Sequence, residues 1–328
     1  TLSSKKKYWE ICIIDNGIGI PQDLQPKIFE PKFTTKNSGM GLGLAMVKNI
    51  IDDFNGKNIH IILPYSKKFN SGKEVNIAKY SGLVSVVKRR SSLKIADDWS
   101  KKIYGNKFSE TKYTSKIPAV IARHTYVLET MLSNLSLSSK NICDFGAGEG
   151  DFLKILKNKV KCKVFGIEPS AKNCNLLKKN KINHFNGTVE EFYQSNKKLK
   201  FDIGTIMWTL CNTSNCYEVM NNISNTIKKN GYLVVAESSR ILVPFKKPLQ
   251  MYFGKNKPDL HPFHFSKNSL SNLLILNKFK PVYVNRYIDS DYLLIIAKKI
   301  DKIENKKLKI DKASEVKQFF KRWYKESI

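Results

Sequence analysis

Asn141-Ile-Cys-Asp-Phe-Gly-Ala-Gly-Glu-Gly-Asp-Phe-Leu153 decides the fold of most of this chain. It reads as an apolar strand ending in an acid, a glycine-rich turn and the start of a helix. Glycines at 146, 148 and 150 let the backbone turn tightly and approach a ligand closely, because no Cβ intervenes. The turn delivers that ligand to the positive end of a helix, where free N–H groups point outward. Such a layout holds a nucleotide-like cofactor at the carboxyl edge of a parallel sheet. A dinucleotide fingerprint is G-x-G-x-x-G; here the third glycine comes one residue early, and Asp144 stands just ahead of the turn. A second acid, Glu168, ends the strand-like run Lys163-Val-Phe-Gly-Ile-Glu168. There a carboxylate can accept two hydrogen bonds from ribose hydroxyls.

Asp-x-Gly-x-Gly-x-Gly followed by such an acid resembles the class I S-adenosylmethionine-dependent methyltransferases. The resemblance implies that Asp144, Gly146, Gly148 and Glu168 bind that cofactor, the glycine turn at its amino-acid end and the acid at its ribose. His184 to Glu191 resembles the family's adenine loop, which makes Gly187 and Thr188 further cofactor candidates, against the alternative of a surface turn. Phe201–Leu210 and Tyr232–Glu237 read as the fourth and fifth strands, and Lys280–Val284 with Tyr292–Ala297 as a closing antiparallel pair. Strands alternating with helical stretches imply a parallel sheet with helices on both faces. The expectation is an α/β, Rossmann-like methyltransferase fold with a seven-stranded, mostly parallel sheet over about residues 95–300.

Ahead of the turn, Val120 to Leu132 has helical apolar spacing. Within Ala96 to Leu135, which lacks strand character, Tyr104, Tyr113, Arg123 and His124 are candidate cofactor or substrate contacts, against the alternative of a capping helix's polar face. Methyl transfer needs alignment and, for some acceptors, a base. Many relatives carry a histidine in the loop after strand four, but Trp208–Asn215 holds neither His nor Glu. The base is therefore expected from Asp259-Leu-His-Pro-Phe-His-Phe265, as His261 or His264; the alternative is a loop packed by its Pro and Phe residues. His-x-x-His without further nearby ligands falls short of a zinc site, and no metal is expected.

Residues 1–62 differ in character. Ile11-Cys-Ile-Ile-Asp-Asn-Gly-Ile-Gly-Ile-Pro21, Ile28 to Lys36 and Ser38-Gly-Met-Gly-Leu-Gly-Leu44 resemble the carboxyl half of the ATP-binding domain of sensor histidine kinases. The resemblance implies nucleotide contacts at Asp15, Gly17, Gly19, Phe29, Phe33, Gly39, Gly41 and Gly43. The magnesium-binding asparagine and the phosphoacceptor helix of that family have no counterpart here. The closing apolar strand is not recognisable either. Without magnesium, phosphoryl transfer loses its main electrostatic help. The segment is read as an incomplete α/β-sandwich remnant, binding ATP and magnesium only if completed upstream; the initial Thr leads us to expect a truncated or fused reading frame.

Residues 63–94 read as a basic linker or surface hairpin, with Val84, Val86 and Val87 able to form one short strand. Residues 301–328 are lysine-rich and place Val316, Phe319, Phe320 and Trp323 on one helical face, suited to docking on the preceding domain. The 328 residues, 41% hydrophobic, suffice for one sizeable core and a smaller unit. No apolar run is long enough to span a bilayer. Six scattered cysteines read as reduced thiols, hence a cytoplasmic protein. The net charge of +29 is lysine spread along the whole chain, without a nucleic-acid-binding motif, which argues against nucleic acid as partner. The function expected is methyl transfer to a small-molecule acceptor such as a sugar or natural-product intermediate. The alternatives are a sensor kinase carrying an appended domain and a cofactor-binding regulator without transfer activity.

Overall fold

The computed structural model describes residues 2–5, 8–11, 21–28, 58–65, 74–78, 81–87, 89–98, 118–244, 246–253, 261–286, 292–302 and 308–328. The chain forms two compact units, Thr1–Lys48 and Asn49–Ile328. In the first, β1 (Leu2–Lys5) and β2 (Tyr8–Ile11) pair antiparallel from Leu2↔Ile11 to Lys5↔Tyr8. Asp15, Gly17, Gly19, Phe29, Phe33, Gly39, Gly41 and Gly43 lie outside the described residues, as do Tyr104 and Tyr113.

The second unit opens with β3 (Asn58–Ile62), β4 (Glu74–Ala78), β5 (Val84–Val86) and α1 (Ser92–Asp98). Helix α2 (Pro118–Asn134) then leads into β6 (Asn141–Phe145), α3 (Asp151–Lys159), β7 (Lys163–Glu168), α4 (Ala171–Lys179), β8 (Asn183–Asn186) and α5 (Val189–Ser195). Next come β9 (Phe201–Met207), α6 (Cys216–Thr226), β10 (Ile227–Glu237), β11 (Phe263–His264) and α7 (Lys267–Leu276). β12 (Phe279–Val284), β13 (Leu293–Lys299) and α8 (Ala313–Lys325) complete it. No helix among the described residues is long and apolar enough to cross a membrane.

Seven strands form one sheet in the order β12-β13-β10-β9-β6-β7-β8, parallel except where β13 pairs β10 and β12. The buried parallel strands are apolar on both faces, as a sheet covered by helices requires. Their period of two sorts the side chains: Leu233, Val235 and Ile295 join one core with α5, α6 and α7, while Val234, Ala236 and Ile296 join the other with α2, α3 and α4. Pro281 sits in β12 at the sheet's edge, where the missing N–H costs no ladder bond.

A smaller antiparallel sheet has the order β11-β5-β4-β3. β4 and β5 lie in the stretch read as a linker or surface hairpin; β5 is the short strand that Val84 and Val86 suggested, while β4 follows the second glycine-rich box, where no closing strand was recognisable in the sequence. The alternation in Glu-Val-Asn-Ile-Ala buries Val75 and Ile77, but a five-residue strand between polar loops gives little periodic signal. Leu63, Tyr65, Val75, Ile77 and Val84 pack with Val316, Phe319, Phe320 and Trp323 of α8 in a third core. Beside β11, Phe265 exchanges backbone hydrogen bonds with Ser239 and Ile241, which ties the small sheet to the carboxyl end of β10.

Candidate active site

The carboxyl ends of β6, β7, β8, β9 and β10 open onto one cavity of ≈ 470 Å³, at the point where the chain leaves β6 for neighbours on either side. The volume lies within the roughly 300–1,000 Å³ usual for small-molecule sites. Asp144, Gly146, Gly148, Glu168, Gly187, Thr188, His261 and His264 all line it, along with Arg123 and His124.

The turn after β6 is left-handed at each of its glycines, with φ of 88° at Gly146, 57° at Gly148 and 81° at Gly150. Gly146 and Ala147 donate to the Ile167 carbonyl at 2.8 and 3.0 Å. A Cβ on Gly146 would lie 2.2 Å from Thr209 Oγ1, so no other residue fits there without movement. Gly150 precedes α3 without a side-chain cap, and Asp151 in the first turn complements the helix's positive end.

Asp144 lies opposite Thr205 of β9, whose Oγ1 donates to Oδ1 at 2.6 Å. Burial lifts the Asp144 carboxyl to about 7; the Thr205 hydroxyl opposes that and the Glu168 charge adds to it. Glu168 ties the turn to the end of β7. Gly148 N–H donates to its Oε2 at 2.8 Å, while Ser170 N–H and Asn173 Nδ2 donate to Oε1 at 3.0 and 3.3 Å. Burial raises the Glu168 carboxyl too, against these three donors. A carboxylate has about four lone-pair sites, so the protein leaves room for one more donor, where the sequence suggested two.

Gly187 and Thr188 carry structural duties while lining the cavity. Gly187 N–H donates to the Glu168 carbonyl at 3.1 Å, and a Cβ there would meet Phe185. Thr188 caps α5 in a reciprocal box with Glu191. His264 is buried in β11, paired with Val84, and its ring lies 6.3 Å from that of His261 and 5.8 Å from Phe320.

Several lining residues carried no decisive sequence signal. The guanidinium of Arg123 lies 5.0 Å from the Tyr292 ring and 5.8 Å from Trp208, and its buried Nε has no hydrogen-bond partner among the described residues. His124 packs between Phe152 and Trp208 with Nδ1 likewise unpartnered; burial lowers its pKa, against the pull of Asp151. Trp208 adopts φ 54° just past β9, a conformation costly for a bulky residue. Trp208 Nε1, Asn212 Oδ1 and Ser239 Oγ are further buried atoms without a hydrogen-bond partner among the described residues. Helical spacing alone left Arg123 and His124 divided between a cofactor role and a polar helix face. The closeness of Trp208, which marks the inward side, belongs to the fold.

Residues 120–283 match the family model described as "Methyltransferase domain", and residues 1–80 the one described as "Histidine kinase-, DNA gyrase B-, and HSP90-like ATPase". The sensory histidine kinase/phosphatase NtrB of Rhizobium leguminosarum bv. phaseoli is 55% identical over 47 residues, 14% of this chain and 12% of that protein. The chain thus spans about an eighth of that relative's length. The N-methyltransferase NodS from Bradyrhizobium japonicum WM9, in complex with S-adenosyl-L-homocysteine, superposes with a TM-score of 0.46 at 14% identity, covering 63% of this chain and 99% of that one. The 1,6-didemethyltoxoflavin-N1-methyltransferase of Burkholderia thailandensis gives a TM-score of 0.45 at 14% identity, covering 67% and 95%.

Proposed function

The chain belongs to the methyltransferase-domain family, and from that premise we propose that its cavity binds S-adenosylmethionine and passes the methyl group to a small-molecule acceptor. One observation carries the reading: the glycine turn, Asp144, Glu168 and both histidines of the 261–264 loop line a single cavity. The fit rests on the donors present. Asp144 and Glu168 suit a cationic, hydroxyl-bearing ligand, and the Arg123 guanidinium suits a carboxylate. When bound, the cofactor supplies an activated methyl group; the protein supplies alignment.

In this reading Glu168 takes a ribose hydroxyl at its remaining acceptor site, and Gly187 and Thr188, whose backbone N–H groups are held by Glu168 and Glu191, pack beside the adenine. The turn from Gly146 to Gly148 and Arg123 hold the amino-acid end. His261 or His264 accepts a proton from the acceptor, which a hydroxyl or amine nucleophile must lose. Trp208, Asn212 and Ser239 offer hydrogen bonds to a polyhydroxylated or similarly polar acceptor such as a sugar. Calorimetric titration with S-adenosylhomocysteine, set against ATP with magnesium, tests the proposal. Binding of the first is expected. Binding of ATP–magnesium alone would favour the kinase reading. Cofactor binding without methyl transfer to any of a panel of sugars, phenols and amines would favour a regulator.

A further inference from the structure

Among the described residues, the cavity lining before Trp208 carries five acids and one cation, Arg123. The acids come from the end of β6 (Asp144), the glycine turn (Glu149), the start of α3 (Asp151), the end of β7 (Glu168) and the first turn of α5 (Glu190). Among the described residues, the lining contributed from Trp208 onward holds no acid, and its cations are Lys246 and Lys247. Lys246 Nζ donates to the Arg240 carbonyl at 2.7 Å and sits 4.7 Å from the Trp323 ring and 5.2 Å from Tyr252. Trp323 Nε1 donates to the Lys247 carbonyl at 2.9 Å, so α8 fixes the backbone that carries both lysines. This far wall is therefore basic, aromatic and built on the small sheet and its helix. A cationic acceptor would meet like charge there, whereas an anionic one would find charge-assisted partners.

We propose that the acceptor is an anionic ring compound, its phosphate or carboxylate facing Lys246 and Lys247 and its ring lying against Trp323 and Tyr252. This rests on the reading of the cavity as a methyl-transfer site. The net charge of +29 draws anions toward the protein in general, so the test must separate the wall from that background. The full chain, saturated with S-adenosylhomocysteine, is titrated calorimetrically with phenyl phosphate, phenol, glucose 1-phosphate, glucose and inorganic phosphate. At least one phosphate ester is expected to bind about tenfold or more tighter than both its neutral counterpart and inorganic phosphate, an advantage of ~1.4 kcal/mol. Whichever ester wins identifies an aromatic or a sugar ring. Lys246→Met and Lys247→Met should each remove most of that preference, and Lys246→Arg should keep it. Neutral compounds or inorganic phosphate binding as tightly as the esters, or an ester preference that survives both Met variants, would overturn the proposal. The preceding S-adenosylhomocysteine titration judges the cofactor reading separately. If that ligand fails to bind while the ester preference persists, the cofactor reading falls and the anion site stands.

Discussion

Glu168 shows how one side chain joins fold and chemistry. Its carboxylate holds the glycine turn through Gly148 and the start of α4 through Ser170 and Asn173, and it faces the cavity with what capacity remains. Glu168→Gln keeps the volume but sets an amide N–H against one of those donors. Loss of a charged acceptor costs about 1.5–3 kcal/mol, so affinity for S-adenosylhomocysteine should fall by about tenfold to a hundredfold. Unchanged affinity in calorimetry would remove Glu168 from the site. Glu237 behaves differently: it is fully buried and accepts from Leu210 N–H at 2.9 Å and Cys211 N–H at 3.3 Å, which secures the loop carrying Asn212. Burial raises its carboxyl to about 8 from 4.5, and that of Asp144 to about 7 from 3.8. Across those windows the folded protein keeps protons that the unfolded chain has released. Stability from these groups is therefore fully present at the lower end of each window and is lost as pH rises through the folded values. Glu237→Gln deletes one of the two contributions. Its melting temperature should decline less than that of the unaltered chain between pH 5 and pH 8; parallel declines would contradict the assignment. The sequence marked Asp144 and Glu168 because each ends an apolar strand beside glycines. Glu237 also ends a strand, but only the fold shows which backbone it serves.

At the level of elements, the glycine turn and the parallel strands were readable because their signal is local. Continuous apolar runs, glycines at fixed spacing and a helical pattern behind them leave few alternatives. The small sheet was readable only at β5, from Val84, Val86 and Val87; β4 is five residues between polar stretches, and β5 joins β11 only through a contact nearly 180 residues away in sequence. Helix α8 was readable as amphipathic, and Val316, Phe319, Phe320 and Trp323 are indeed its buried face, but what they cover is set by those same short strands. The turn itself offers a clean test. Gly146→Ala combines a left-handed backbone with a Cβ 2.2 Å from Thr209 Oγ1. Strain at such a position costs about 1–3 kcal/mol before the clash is counted. The variant should melt several degrees lower and lose measurable binding of S-adenosylhomocysteine. Adding Thr209→Ala removes Oγ1 and Cγ2 but leaves Cβ at 2.9 Å, so it should recover most of the part due to the clash and leave the part due to the backbone. Full recovery would show that the left-handed conformation is dispensable.

For the whole molecule, the family match and the physical boundary fall in different places. The ATPase-like match runs over residues 1–80, yet the compact unit containing the cavity begins at Asn49 and includes β3 and β4 from within that match. Val75 and Ile77, with Leu63 and Tyr65, are at most 1% exposed and form one side of the core whose other side is α8. Each such side chain contributes about 1.5–3 kcal/mol by leaving water. Together they are worth on the order of 6 kcal/mol or more, comparable with the ~5–15 kcal/mol net stability of a typical domain. A stretch that resembles an ATPase is thus part of the scaffold under the basic, aromatic wall of the cavity. This gives a prediction that neither family match would make alone. A chain starting at Asn49 should keep its melting temperature and its affinity for S-adenosylhomocysteine. A chain starting at Ser81, where the ATPase-like match has just ended, should expose Phe320 and Trp323, melt at least 10 °C lower and lose the phosphate-ester preference before it loses cofactor binding. Differential scanning calorimetry and the two titrations measure all three. Equal melting temperatures for the two chains would show that the strands before Ser81 are dispensable passengers, and the order of losses shows whether the far wall or the glycine turn depends on them.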